Sequence, residues 1–387
     1  MIPTHNYTVF QVTFLLILLL LLGCKQNNNH QTQTDSLQND SSDTNIRYAK
    51  GFRISHSENY TRIVINNPWG KDDKKPYAVY YLYKNDSTNL PDEGFKLKIP
   101  IKSVVINTFS YFEFLRQLGE LDKVIGVTDA HRVYNSTILQ KIKDKQIQNL
   151  GDPFNPNVEK TLMLKPDVSI NSAYAQQDMH SEKLLSIGIP VIYSLEWMEK
   201  SPLARAEWIK FISVFFDKEP LADSIFSEIE SRYIAKTEIV KNVKNRPAVL
   251  AGDNFQDTWY VPGGKSFNSI LFSDAGLDYF YKDDPESGSI GLDIESILIQ
   301  FGNTDFWFGC DAGSYDELAR KDKKYMLLKS VKNRQVFNNR NRTTPSGGND
   351  YFESAIANPD LVLSDLIKAV HPELLPEAEF TYIKPLE

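Results

Sequence analysis

Apolar residues fall in several distinct patterns along the chain. Phe14 to Leu22 is an unbroken apolar run that ends at Gly23 and Cys24. It is too short to span a bilayer as a stable anchor, and a run of this length closing on a small residue reads as a secretory signal. Residues 25–45 contain one apolar residue, Leu37. Such a segment cannot bury enough surface to offset chain entropy, so it reads as a flexible tether. Residues 46–100 then turn β-like. Arg62-Ile-Val-Ile-Asn66 and Ala78-Val-Tyr-Tyr-Leu-Tyr83 are rich in β-branched and aromatic residues. Asn67-Pro68-Trp69-Gly70 and the charged run 71–75 punctuate them as a turn and a solvated loop.

From Lys102 short buried strands alternate with helical spacing. The strands are Ser103–Asn107, Lys123–Val127, Lys165–Ile170 and Ile189–Tyr193. Between them, Tyr111–Leu118 has helical period and stops at Gly119, residues 158–164 form a helix, and Ser181–Ile187 stops at Gly188. Pro202–Phe216 predicts a helix. A longer one follows, opening near Pro220 and carrying Leu221, Ile225, Ile229, Tyr233 and Ile234 at helical period to about Val243. At 1.5 Å per residue its roughly 24 residues span ~36 Å, enough to cross from one lobe to another. After Pro247 the alternation restarts. Strands are predicted at Ala248–Gly252, Asp305–Gly309 and Arg334–Asn338, and helices at Ser266–Ala275, Ile294–Phe301 and Asn358–Val370. Strands alternating with helices imply a mostly parallel sheet covered on both faces. The expected fold is α/β: two Rossmann-like lobes joined by one long helix, with an N-terminal β-rich extension. Its parts are a signal segment (1–24), a tether (25–45), a first lobe with the extension (46–217), a connecting helix (218–245) and a second lobe (246–387).

Composition narrows the function. A net charge of −7 with no basic stripe argues against a nucleic-acid partner. The 22 Phe, 19 Tyr and 5 Trp suit a site for a large flat ligand as well as a core. Besides Cys24 the only cysteine is Cys310, so no internal disulfide supports the fold. About 340 residues remain after the tether, which favours two lobes over one core.

Several motifs occur in order. Leu21-Leu22-Gly23-Cys24 matches a bacterial lipobox, which implies lipidation of Cys24 and cleavage before it. Leu118-Gly119 with Lys123–Val127, Gly151-Asp152, Asn157–Val168, Gly188-Ile-Pro-Val191, Gly291–Leu298 and His371-Pro372-Glu373 follow one another along residues 100–375. This ordered set resembles the family of periplasmic substrate-binding proteins, of the helical-backbone class, that serve ABC importers of iron siderophores, haem and vitamin B12. The resemblance implies an extracytoplasmic, lipid-anchored, periplasm-facing, monomeric protein. Its partners would be an iron complex or corrinoid and an ABC permease dimer with its ATPase. It implies no enzyme activity, catalytic residue, resident cofactor or metal. Glu159 and Glu295 stand at the positions of that family's permease-docking acids, each in the first turn of a predicted helix, where a carboxylate is favoured. Each alone would also serve as a helix-capping acid.

Ligands in such folds sit outside the carboxyl ends of the strands. The candidates there are Tyr111, His131, Tyr134, Phe154 and Tyr174 in the first lobe and Trp259, Tyr260, Trp307 and Arg340 in the second. Aromatic faces suit corrin, porphyrin or catecholate surfaces, and Arg suits carboxylates or iron-bound oxygen anions. Gly263-Gly-Lys-Ser266 ends like a phosphate loop, but Trp259 stands where that loop needs its first glycine. His56, His131 and His180 have no standard zinc spacing. Two other classes stay open: a cofactor- or metal-dependent enzyme on the same two-lobe plan, and a surface lipoprotein that captures a ligand without a transporter. A single rigid connecting helix predicts small lobe motion on binding.

Overall fold

Burial sorts the chain into two hydrophobic cores that share one helix. The computed structural model describes residues 42–70, 75–86, 88–176 and 178–387. The apolar run, Cys24, the tether to residue 41 and residues 71–74 of the charged loop lie outside the described residues.

The first core is covered by two sheets. Strands β1 (Ser42–Asp43), β2 (Phe52–His56), β3 (Thr61–Ile65), β4 (Ala78–Tyr83) and β5 (Phe95–Lys98) form the extension, paired in chain order, antiparallel except for β4 with β5. The lobe proper then alternates β6 (Val104–Ile106), α1 (Ser110–Leu118), β7 (Val124–Val127), α2 (Ser136–Lys143), β8 (Gln148–Asn149), α3 (Val158–Leu164), β9 (Val168–Ser172), α4 (Met179–Ser186) and β10 (Val191–Ser194). Its sheet is all parallel in the order β10-β9-β6-β7-β8. Local signals set the helix ends. Asn135, Asn157 and Asp178 each accept an N–H three residues on, and Gly119 takes the left-handed cap at φ 75°.

The predicted helix over Pro202–Phe216 is two helices, α5 (Pro202–Ala206) and α6 (Trp208–Phe215). They part at Glu207, whose buried carboxylate accepts the backbone N–H groups of Arg47, Tyr48 and Ala49. Glu199 does the same for Lys50 and Gly51 and also accepts from the Trp208 indole. These two carboxylates seat the chain that leads into the extension, and Phe52 then packs edge-on to Trp208 at 4.9 Å.

Helix α7 (Glu219–Val240) follows, 22 residues or ~33 Å long. Ala222, Phe226 and Ile229 belong to the first core, Tyr233 and Val240 to the second. The buried stripe is therefore Ala222-Phe226-Ile229-Tyr233. Leu221 and Ile234, expected on it, are exposed, because the helix turns its smaller Ala222 toward the core.

The second lobe contains β11 (Ala248–Ala251), β12 (Asp253–Phe255), β13 (Thr258–Pro262), α8 (Phe267–Asp274), β14 (Asp278–Tyr279), β15 (Ser289–Leu292), α9 (Ile294–Phe301), β16 (Phe306–Phe308), α10 (Tyr315–Lys321), α11 (Lys329–Lys332), β17 (Val336–Asn338), α12 (Asp350–Ser354), α13 (Pro359–Val370) and β18 (Lys384–Pro385). Its main sheet runs β14-β11-β16-β17-β18, parallel except for β18, and a small antiparallel sheet runs β12-β13-β15.

Residues 342–358 bridge the two cores, Ala355 belonging to the second and Ala357 to the first. Helix α12 packs on α1, Ala357 enters the first core, and a Cβ on Gly348 would stand 2.2 Å from the Val133 carbonyl oxygen. Asn358 donates to Glu113 and accepts from Gln117, and Glu353 accepts the Tyr134 N–H at 2.8 Å. Burial pushes the Glu353 carboxyl up to about 7, against ~4.3 for a free glutamate. The folded protein therefore binds the extra proton between those values, so this group makes stability fall as pH rises from about 4.3 to about 7 and level off above. Glu353→Gln keeps an acceptor for Tyr134. It is expected to remove that loss, so that urea denaturation at pH 7.5 relative to pH 4.5 favours the variant over wild type by about 3 kcal/mol.

Candidate functional site

A cavity of about 820 Å³ opens where both lobes end their parallel strands. Ser110 stands beyond β6, and Trp197 to Arg205 follow β10. Gly252 follows β11, Gly309 follows β16 and Asn339 follows β17. The carboxyl ends of parallel strands open onto such crevices because the chain must leave the sheet there.

The backbone approaches closely at the floor. Gly252 has φ +82°, and a Cβ on it would lie 1.9 Å from the Tyr260 carbonyl oxygen. Its N–H donates to Phe308 and its carbonyl accepts from the Trp307 indole at 2.8 Å. The Trp259 indole donates to Ala251 in the same way at 3.0 Å, and the two indoles lie 4.9 Å apart.

Arg205 is the one arginine on the wall. Its guanidinium sits 3.5 Å above the Phe267 ring, and Nη2 donates to the Trp197 carbonyl at 2.6 Å. Nε has no hydrogen-bond partner, and among the described residues no carboxylate lies within ion-pair distance. Glu196 and Glu199 are close enough to be felt but are committed elsewhere. Glu196 accepts from the hydroxyls of Ser110 and Ser194, and Glu199 accepts from Lys50, Gly51 and Trp208. Burial draws the Arg205 guanidinium down to about 10, so it stays charged at neutral pH. Trp197, Tyr260, Phe267 and Phe352 supply aromatic surface around it, and Lys200 a second cation. The arrangement can hold an oxyanion against a guanidinium while stacking flat faces on the rings.

The residues singled out from sequence are divided. Tyr260 lines the cavity, and Tyr174 stands 6.2 Å from the ring of Trp197, which also lines it. Tyr111, Trp259 and Trp307, expected at the cleft, are fully buried in the cores instead. Side chains alternate along β13, so Trp259 points in and supports the floor from behind while Tyr260 points out. Arg340 is paired with Asp311, beside Asn339 of the wall. His131 pairs with Asp129 at 2.9 Å, Tyr134 bonds Arg342, and neither lines the cavity. Phe154 is exposed away from it. Glu159 and Glu295 are exposed on α3 and α9, outside the cavity. Among the described residues no group of three His, Cys, Asp or Glu side chains is placed to hold a metal ion, and no helix is long and apolar enough to cross a membrane. Arg205, Trp197, Phe267 and Phe352 were missed. The available signal was position: a lone arginine in an otherwise apolar short helix, just beyond a parallel strand.

The model of a family described as "Periplasmic binding protein" matches residues 104–343. An uncharacterized lipoprotein of Methanocaldococcus jannaschii is 25% identical over 374 residues, covering 90% of this chain and 87% of its own. Among solved structures, one described as a possible iron-binding (periplasmic solute-binding) protein from Staphylococcus epidermidis superimposes with TM-score 0.55 at 18% identity, over 70% of this chain and 100% of its own. The periplasmic heme-binding protein RhuT from Roseiflexus gives 0.52 at 17%, over 69% and 99%. At these identities the structures attest a shared fold.

Gly252→Ala is expected to lower stability by more than about 2 kcal/mol, since both the close Tyr260 oxygen and the positive φ oppose a side chain. Urea denaturation of the purified variant checks this.

Proposed function

The chain belongs to the periplasmic binding protein family, and on that premise we propose that it captures a bulky solute carrying oxyanion groups, an iron complex (siderophore or haem) or a corrinoid, and delivers it to an ABC importer. The observation that carries this reading is a charged guanidinium left without a carboxylate in an aromatic cavity of about 820 Å³. A cavity of that size suits a large ligand rather than a bare ion. A half-buried guanidinium without an ion pair is costly to leave so, and an anionic group on the ligand would offset that cost. Trp197, Tyr260 and Phe352 would then face the ligand's rings, with Tyr174 at the rim. Arg340, His131, Tyr134 and Phe154 would act only with ligands that reach beyond the cavity. The protein would be held outside the cytoplasm, facing the periplasm, by lipid on Cys24; the lipoprotein name of the Methanocaldococcus relative supports that anchor.

Delivery would use the exposed acids Glu159 and Glu295, one per lobe, against an ABC permease dimer whose ATPase subunits supply the energy. Glu159 has no ion pair among the described residues, and Glu295 pairs only with the exposed Lys324 at 2.6 Å. An exposed pair of that kind is weak and readily exchanged.

Titration of purified protein with haemin, a ferric siderophore and cyanocobalamin, followed by absorbance, is expected to show tight saturable binding of one; binding of none would overturn the reading. Arg205→Met should weaken that binding about tenfold or more without lowering thermal stability. Glu159→Gln with Glu295→Gln should keep the affinity yet abolish cellular uptake of the bound probe. Loss of binding itself in that double variant would show the acids act at the ligand site.

A further inference from the structure

The two helices that carry Glu159 and Glu295 correspond residue by residue. In one sheet β6 lies between β7 and β9, and in the other β11 lies between β14 and β16. Helix α3 leads into β9 and α9 leads into β16, so they occupy the same place in each lobe. Their caps agree as well: Asn157 accepts the Lys160 N–H and Asp293 accepts the Ser296 N–H, each three residues on. Counting from those caps, the second residue is the acid, Glu159 or Glu295, and it is exposed. The fourth, Thr161 or Ile297, is fully buried. The sixth is Met163 in one lobe and Ile299 in the other, exposed at 81% and 84%.

A single exposed apolar side chain needs no explanation. The same exposure at the same step in both lobes, one turn after the same acid, is not accounted for by packing within either lobe. Residues four apart on a helix share a face, so acid and apolar side chain present together.

We propose that Met163 and Ile299, each one turn after a docking acid, are two equivalent apolar contacts that seat against the permease dimer beside Glu159 and Glu295. This rests on the reading of the two acids as docking residues. The repeat of acid and apolar side chain on two related helices matches a partner that itself occurs twice, as the docking reading requires. The acids set orientation and the rate of encounter, and the desolvated apolar side chains hold the complex once formed.

The test uses the full-length lipoprotein in a source strain lacking its chromosomal copy, supplied with labelled haemin, ferric siderophore and cyanocobalamin. Met163→Ser with Ile299→Ser is expected to cut accumulation of the imported probe at least about tenfold, while purified protein keeps its probe affinity within about twofold. Met163→Leu with Ile299→Val should restore accumulation. Undiminished accumulation in the Ser variant would overturn the proposal. If Glu159→Gln with Glu295→Gln also accumulates normally, the docking reading itself has failed; if only that variant is impaired, docking stands and the apolar contact falls. Sedimentation showing a wild-type dimer that the Ser variant dissolves, or Ser-sensitive binding to phosphatidylglycerol vesicles, would assign the side chains to a second copy or to lipid and likewise overturn it.

Discussion

One helix sitting in two cores is the constraint on which this architecture rests. Ala222, Phe226 and Ile229 cannot leave the first core, nor Tyr233 and Val240 the second, without exposing apolar surface at each end. Helix α7 therefore ties the two lobes together through both cores. The space left over, bounded by the carboxyl ends of both parallel sheets, is the cavity. Neither sheet is long enough to fill it, since the strands that border it have only three to five residues.

Buried carboxylates do much of the remaining positioning. Glu207 and Glu199 seat residues 47–51, Asp365 takes the N–H groups of Thr381, Tyr382 and Ile383, and Glu353 takes that of Tyr134. Each fixes a stretch of backbone that has no strand partner at that point and would otherwise be desolvated without compensation. Beside these committed acids, Arg205 differs in having no ion-paired carboxylate among the described residues, its guanidinium resting on the Phe267 ring and the Trp197 carbonyl.

Much of this plan is legible in the sequence because short parallel strands, buried on both faces, read as compact apolar runs such as Val104-Val105-Ile106, and helix ends carry Asn, Asp or Gly. The failures share a physical origin in tertiary contact. Nothing local marks Glu207 as a break, since glutamate is a good helix former and the interruption is made by amides about 160 residues away. The β12–β13 hairpin turns on Gln256 and Asp257, both at positive φ, rather than on the Asn-Gly that advertises such a turn. Period-two alternation says that Trp259 and Tyr260 face opposite ways, but only the packed second core decides which of them faces the cavity. The candidate site was legible to the same degree: its location followed from the strand ends, whereas its guanidinium lay in a five-residue helix that no motif singles out.

The bridging of the two cores by residues 342–358 means that the lobes are joined in more than one place. A receptor on a lone pivot orders itself around each guest, and surrenders backbone freedom at every capture. Here Glu353, Asn358 and Ala357 have made that sacrifice at folding, so a solute meets walls already standing. On the proposed reading, selection would rest on whether a solute's outline matches the mould they form, with little ordering of the host left to count against its affinity.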